Sequence, residues 1–380
     1  MPLRPTGEFT EGRLKLHFDS NNEVFYNPKM ALNRDIGVLF VRSYFRGRSI
    51  RICEPMTASG VRAIRYASEC SNVKTVIASD TDTASIDYAN CMIRLNHVND
   101  RISVTQADAV KLLQNHTETP FDLVDLDPFG SPSPFFESAL RSTADNGVLA
   151  ATATDMAPLT GTRPLACFRK YGIVATRTEF EKEIAVRVLA ASLSITAGRL
   201  QLGIKIVFTH ASDHYARIYA QINKGRSAAN GTMKTLGFLS YCRRCLRRVA
   251  HESLEEHEVN CENCGSRMRV MGPLWGGKLW DVELLAQMTK NTATITSSRL
   301  SELQTLLDRI AGEVDAPPFY YKVDKIAHNL RTNPPRVKKI VSELRTLGYV
   351  ATLTHFHPNA FRTNASDRVI HSAFNRVKKT

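Results

Sequence analysis

From Ser49 to Asp155 the chain alternates between short apolar runs and segments of helical character, and this alternation constrains the fold more than any other feature. SIRICEP, KTVIASD, RISVTQAD, FDLVDLDPFG and GVLAATATD read as strands; SGVRAIRYASEC and TASIDYANCMIRLN read as helices between them. Strands separated by helices of about 10–15 residues imply right-handed βαβ units and a parallel sheet. A long helical segment follows over 179–198, and LGIKIVFTHASDHYARIYAQIN then reads as two strands with a turn near Ser212–Asp213. The expectation is an α/β domain over residues 1–225, its sheet closed by a β-hairpin, followed by a polar connection in NKGRSAANG.

Acidic residues recur where these strands end: Asp80 closes the second, Asp108 follows the third and Asp127 ends the fourth. The ligand crevice of a parallel sheet lies outside the carboxyl ends of its strands, where a carboxylate can take ribose hydroxyls. Asp80 is placed for that task, and Asp108, with the amide of Ala109, for reading an adenine amino group. Each acid could equally cap the helix that follows. The first βα turn, EPMTASGVR, carries only Gly60 where a dinucleotide fingerprint has three glycines. Its small residues still allow a ligand close to a helix N-terminus.

Asp127-Pro128-Phe129-Gly130 resembles the (D/N)PP(Y/F) motif of amino-group methyltransferases, with Phe and Gly at its third and fourth positions. An exocyclic aromatic amine delocalises its lone pair into the ring and is a poor nucleophile. Acceptors aimed at its N–H bonds, here the Asp127 carboxylate and the Pro128 carbonyl, turn that pair toward an electrophilic methyl. An aromatic such as Phe129 can stack on an extruded base. The plainer alternative is a strand-ending turn with φ fixed by proline. A hairpin closing a parallel sheet is similarly a feature of class I methyltransferases.

Cys53, Cys70, Cys91 and Cys167 are scattered and read as reduced core thiols. Cys242, Cys245, Cys261 and Cys264 instead follow C-x2-C-x15-C-x2-C, the spacing of a zinc ribbon. Each CxxC turn presents two thiolates, and four thiolates close a tetrahedral shell, so a zinc ion there is structural. Disulfides would require an oxidising compartment that nothing else supports. His251 and His257, between the pairs, are not needed as ligands. Arg243, Arg244, Arg247 and Arg248 crowd the first knuckle, where they either meet a polyanion or are solvated.

The net charge is +13 and is unevenly spread: residues 316–380 hold 12 Lys/Arg against 3 Asp/Glu, residues 1–239 hold 28 against 23. A cationic C-terminal module beside a nearly balanced domain implies a polyanionic partner. SSRLSELQTLLDRIAG, KVDKIAHNLR and PPRVKKIVSELRTLG read as helices, and YVATLTHFHPNAFRTNASDRVIH as strand–turn–strand, giving a winged-helix-like module over 297–380. In its third helix Val337, Ile340, Val341, Leu344 and Leu347 form one apolar stripe, with Arg336, Lys338, Lys339 and Arg345 largely off it. A dimerisation or packing module is the alternative. His355, His357, His210 and His214 lack a nucleophile constellation and read as structural. No apolar run approaches the roughly 18 residues of a membrane span. The opening MPLRPTGEFTEGR lacks the apolar region of a secretory signal, so a cytoplasmic location is expected.

VFYNPKMALNRD, TASGVRAIRYA, Ser79-Asp80, QADA at 106–109, DLDPFGSP and the paired CxxC occur in an order that resembles the tRNA (guanine-26-N2,N2) dimethyltransferases, which use S-adenosyl-L-methionine. The resemblance covers nearly the whole chain. It implies that Arg34 and Arg62 hold the methionine carboxylate of the cofactor, Asp80 its ribose, and Asp108 with Ala109 its adenine. It also implies that Asp127 orients the guanine amine, that Phe25 and Phe129 sandwich the base, and that Asn27-Pro28 walls the pocket. The partner implied is tRNA, gripped by residues 235–380 with the zinc module over 238–275; no membrane and no obligate protein partner is implied, and the member is compact. On this reading Asp127→Ala leaves cofactor affinity nearly unchanged and removes most turnover. Two other readings stay open: an amino-group methyltransferase of ribosomal RNA or another nucleic acid, and a non-enzymatic nucleic-acid-binding regulator that senses a nucleoside. The last leaves the strand-end acids and DPFG unexplained together.

Overall fold

The computed structural model describes residues 7–18, 24–212 and 214–377, so Asp213 of the expected turn lies outside the described residues. The chain forms two compact units. The first comprises Met1–Thr152, Tyr219–Lys224 and Val282–Leu307; the second comprises Ala153–Ile218, Gly225–Asp281 and Asp308–Thr380.

The first unit begins with an antiparallel hairpin of β1 (Gly7–Glu11) and β2 (Leu14–Phe18), then α1 (Ala31–Tyr44). The alternation read from the sequence follows: β3 (Ile50–Glu54), α2 (Val61–Glu69), β4 (Val73–Asp80), α3 (Thr83–Leu95), β5 (Ile102–Gln106), α4 (Ala109–Gln114), β6 (Phe121–Leu126), α5 (Phe136–Ser142) and β7 (Thr143–Ala153). The pairs β3–β4, β4–β5, β3–β6 and β6–β7 are all parallel. Strands β3 and β6 are buried along almost their whole length, which is why they read as continuous apolar runs rather than alternating ones. The chain moves outward from β3 to β5, then crosses back to place β6 on the other side of β3. That reversal opens a crevice at the carboxyl ends of β3 and β6. Cys53 pairs with Val124 across them, so Glu54 and Asp125 leave the strands side by side. Gly60, at φ +70°, starts α2 where a Cβ would lie 3.0 Å from Ala89 Cβ, so this turn needs its single glycine.

The chain continues through α6 (Met156–Leu159), α7 (Pro164–Tyr171), α8 (Glu181–Arg199), β8 (Leu202–Ala211) and β9 (Ala216–Lys224). Strands β8 and β9 are the expected closing hairpin, and the sheet order among the described residues is β5-β4-β3-β6-β7-β9-β8. The segment read as a polar connection is instead a helix, α9 (Arg226–Met233). It packs where β8 has no side chain: a Cβ on Gly203 would lie 2.5 Å from the Ala228 backbone. Thr232 Oγ1 fixes the helix there, accepting from the Ile204 amide (2.8 Å) and donating to its carbonyl (3.2 Å). Next comes a three-stranded sheet of β10 (Leu236–Tyr241), β11 (Arg248–His251) and β12 (Arg269–Trp275), in the order β11-β10-β12.

Helix α10 (Val282–Asn291) returns to the first unit and packs on α1, with Asn291 Nδ2 donating to Ser43 Oγ at 3.0 Å. After α11 (Leu300–Glu313) the order is β13 (Tyr321–Lys322), α12 (Val323–Asn329), α13 (Val337–Thr346), β14 (Ala351–Leu353), β15 (Ala360–Thr363) and α14 (Asp367–Val377). The sheet is ordered β13-β15-β14. The stripe read on α13 buries Ile340, Val341 and Leu344. The last expected strand ends at Thr363; the residues beyond form α14, which buries Ile370, Ala373 and Phe374 at helical spacing. Compactness thus divides the chain differently from the expected break between 225 and 235. Residues 153–218 go with the cysteine region, and α10 with the start of α11 goes with the first unit.

The second unit is tied together by ion pairs that the sequence did not announce. Buried Arg362 donates to Glu313 at 2.5 Å and pairs with Glu183 at 2.9 Å, and Arg187 bonds both Glu183 (2.9 Å) and the Trp275 carbonyl (2.6 Å). His355, read as structural, lies against Glu313 at 2.7 Å. Among the described residues no helix is long and apolar enough to cross a membrane.

Candidate active site and metal centre

Every residue read as cofactor- or base-binding lies in the first unit. Asp80, at the end of β4, is not a helix cap. Its carboxylate accepts from the Ala58 amide in the first βα turn (2.8 Å) and from the Asp82 amide (3.1 Å), while Asp82 caps α3. Asp108 is a cap: Oδ1 accepts from the Val110 and Lys111 amides (3.0 and 3.1 Å). The capping alternative therefore applies to Asp108 and not to Asp80. Ala109 opens α4 and is buried.

Both arginines read as carboxylate binders are already engaged. Arg34, on α1, donates through Nε and Nη2 to the two oxygens of Glu11 (2.6 and 2.5 Å) and through Nη2 to the Asn27 carbonyl (3.1 Å). Glu11 also accepts from Tyr26 Oη (2.8 Å) and Arg65 Nη1 (3.2 Å). Burial raises the pKa of this carboxyl, but the charges and donors of Arg34 and Arg65 outweigh it and bring it down to about 2.

Arg62, on α2, is surrounded by three acids. Nη2 bonds Asp127 Oδ2 and also donates to Asn33 Oδ1 at 3.0 Å; Nε lies 3.5 Å from Glu54 and Nη1 3.7 Å from Asp125. Asp125 is fully buried and accepts from Tyr66 Oη (2.6 Å). Glu54 accepts from Thr57 Oγ1 (2.7 Å) and the Ala63 amide (3.1 Å). Burial pushes the Glu54 carboxyl up to about 8 against the pull of Arg62. Burial also opposes the charge of Arg62, yet the Asp125 and Asp127 carboxylates hold its proton well above the usual range.

Asp127 reaches the crevice edge, with its side chain 20% exposed. Phe129 beside it is 77% exposed and meets Phe25, 41% exposed, edge-on with ring centroids 4.7 Å apart. The two rings read as a sandwich are thus together, but touching. A base stacked between parallel rings needs centroids roughly 7 Å apart, twice the stacking distance, so one ring must swing out. Gly130, at φ +79°, follows Phe129. Asn27 caps a short turn by accepting from the Lys29 amide at 3.0 Å, and Pro128 is buried.

Asn33, Glu54, Asp125 and Glu11 escaped the sequence reading. Asp125 had left a signal: in DLVDLDP it precedes Asp127 by two positions, on the same face of the strand. Two buried donors of this cluster, Asn33 Nδ2 and Arg62 Nη1, have no hydrogen-bond partner among the described residues. Buried polar groups are nearly always satisfied, so each of these donors has capacity left for an acceptor.

In the second unit the four cysteines converge: their Sγ atoms all lie within 4.8 Å of one another, with Cys242–Cys264 at 3.5 Å and Cys245–Cys261 at 3.4 Å. Tetrahedral zinc with bonds of about 2.3 Å needs sulfurs about 3.8 Å apart, so the donor set fits zinc. The knuckles match: Leu246 and Gly265, one residue after each pair, share φ +68°. His251 bonds Ser240 Oγ (3.0 Å) and His257 the Leu254 carbonyl (2.7 Å), and neither belongs to the cluster. Of the knuckle arginines, Arg247 is taken by Glu258 and Glu262, and half-buried Arg248 by Glu179 and the Phe319 and Tyr320 carbonyls. Arg243 bonds Thr176 Oγ1 at 2.7 Å and Arg244 is exposed, so the knuckle arginines differ: Arg247 and Arg248 are paired with acids of the protein. Cys53, Cys70 and Cys167 are core thiols as read, whereas Cys91 is exposed on α3.

A cleft of about 1210 Å³ between α12 and α13 is lined by His328, Arg331, Asn333, Arg336 and Lys339 among others, with no carboxylate. Arg331, Arg336 and Lys339 are exposed and have no acidic partner among the described residues.

A parallel sheet with its crevice at the β3/β6 reversal, acids at successive strand ends and a closing hairpin define a Rossmann-like class I methyltransferase. A family model described as N2,N2-dimethylguanosine tRNA methyltransferase matches residues 7–375, and the chain belongs to that family. It is 33% identical over 364 residues to the tRNA (guanine(26)-N(2))-dimethyltransferase of Methanobrevibacter smithii, covering 93% of each chain. It is 32% identical to the tRNA (guanine(26)-N(2)/guanine(27)-N(2))-dimethyltransferase of Aquifex aeolicus, covering 91% of this chain and 88% of that one. The solved complex of Trm1 from Pyrococcus horikoshii with S-adenosyl-L-methionine superposes with a TM-score of 0.87 at 30% identity, over 96% of this chain and 99% of that one.

Proposed function

We propose that this protein methylates the exocyclic N2 of guanine 26 in tRNA, twice, with S-adenosyl-L-methionine as donor. The observation that carries the reading is Asp127: an acid at the β6 end of the crevice, beside outward Phe129 and bonded to an arginine that has an unsatisfied donor. Arg62 and Asn33 would take the methionine carboxylate, Arg34 would stand beside them under the hold of Glu11, Asp80 would take the ribose, and Asp108 with Ala109 the adenine. The cofactor supplies an electrophilic methyl on a sulfonium. Asp127 accepts an N2–H bond, turns the lone pair out of the ring plane, and takes the proton as the N–C bond forms; the proton is acidic only then, so no strong base is required. Phe25 and Phe129 part to stack on the extruded base. After the first transfer one N–H remains for Asp127, which permits the second.

Residues 1–225 work as the methyltransferase domain and 235–380 as the tRNA-holding region. The order α11–β13–α12–α13–β14–β15 supports a winged-helix-like module, with the basic cleft gripping tRNA phosphates. Zinc held by the four thiolates is structural, and reduced thiolates suit the cytoplasm. Nucleoside mass spectrometry of unmodified tRNA incubated with protein and S-adenosyl-L-methionine should show N2-methylguanosine, then N2,N2-dimethylguanosine. Fragment mapping separates position 26 from 27. Cofactor binding without any methylated nucleoside on tRNA would move the search to ribosomal RNA.

A further inference from the structure

The group read as orienting the base and a group read as holding the cofactor are each other's partners, since Asp127 Oδ2 is bonded by Arg62 Nη2. Resting on the function proposed above, we infer that Asp127 competes with the amino-acid carboxylate of the cofactor for Arg62, so that cofactor occupancy releases Asp127 to the guanine amine. One guanidinium already faces the carboxyl groups of Glu54, Asp125 and Asp127. A further carboxylate, arriving at Arg62 Nη1 and Asn33 Nδ2, crowds like charge around a single cation. The surroundings decide which acid yields. Asp125 is fully buried and held by Tyr66, and Glu54 is buried and held by Thr57 and the Ala63 amide. Asp127 alone of the three stands at the crevice edge, 20% exposed. Without cofactor its charge is satisfied by Arg62 and it is a poor acceptor for a base amine. With cofactor bound it is freed on the side the base enters. Arg62 is therefore the shared element through which each ligand favours the other, a coupling that must be reciprocal.

The ion pair also replaces the expectation that removing Asp127 leaves cofactor affinity unchanged. Asp127→Asn keeps the shape and removes the competing charge. Calorimetric titrations would compare S-adenosylhomocysteine, which carries the amino-acid end, with 5′-methylthioadenosine, which has the nucleoside and sulfur without it. The variant should bind S-adenosylhomocysteine about five- to tenfold more tightly than the wild type, a coupling at the low end of the usual range, while 5′-methylthioadenosine shifts less than about twofold. An unchanged or weakened preference for S-adenosylhomocysteine would overturn the inference, and so would a parallel shift in both ligands. Asp127→Ser, checked for a native melting temperature, repeats the test should Asn disturb the fold. Wild-type protein that binds neither ligand would overturn both this inference and the proposed function; wild-type binding of both with no change in their ratio on substitution would overturn the inference alone.

Discussion

Replacing Arg331, Arg336 and Lys339 together by alanine should change how tRNA affinity depends on salt more than it changes anything else. The three side chains are exposed, line one cleft and have no acidic partner among the described residues, so their removal leaves packing intact. Each cation that neutralises a phosphate releases condensed counterions and contributes roughly 0.7–0.9 to the slope of log affinity against log salt; three contribute about 2–2.7. Between 50 and 200 mM salt, a fourfold or about 0.6 log-unit change, the wild type should lose roughly 20–40-fold more affinity than the triple variant. Fluorescence anisotropy with labelled tRNA across a salt series measures both slopes, and S-adenosylhomocysteine affinity in the same preparations should stay constant. Coincident lines would show that the cleft meets no phosphates. A loss that is equal at every salt concentration would point to a lost shape contact or a perturbed fold, and either result would remove the support for a tRNA-gripping module here.

Phe129→Ala should leave the melting temperature and cofactor affinity unchanged, because the ring is 77% exposed, while kcat/KM on tRNA falls about ten- to hundredfold, the worth of one base stack. Equal activity would mean that the base rests elsewhere. Purified protein should contain one zinc per chain by elemental analysis; Cys261→Ala should abolish it and lower the melting temperature by on the order of 10 °C, since the site closes the loop between β10 and β12. Zinc-free protein with wild-type stability would refute the structural role. Burial works against the Glu313 charge, but Arg362 and His355 outweigh it and bring its folded pKa down to about 2 from 4.5. A lowered acid stabilises fully above its unfolded pKa and loses that contribution as pH falls through the folded one. Stability should therefore decline between about pH 4.5 and 2, by on the order of 3 kcal/mol from this group, and Glu313→Gln should flatten that part of the curve. An unaltered acid limb in the variant would place the titration on another group, such as Glu11.

What was legible in this sequence is what local periodicity carries. The strands of the parallel sheet and the acids at their ends follow from apolar runs bounded by turn residues, and the knuckles follow from cysteine spacing. The errors share a different cause. NKGRSAANG has the composition of a loop, yet it is helical because β8 offers a glycine against which α9 can lie, a tertiary fact. Arg247 and Arg248 looked like partner-binding charge because the acids that take them, Glu258 and Glu179, stand 11 and 69 positions away. The same holds at the active site, where Arg62 and Asp127 are 65 residues apart and Arg34 and Glu11 are 23 apart. A motif assigns each residue a role toward a ligand, but a buried charge must first be neutralised by the protein that carries it. The site therefore pairs its own charges, as Arg62 and Asp127 do, and under the inference above that contact is set against ligand binding. For a charge paired in this way, the internal partner is the first thing a substitution there will disturb.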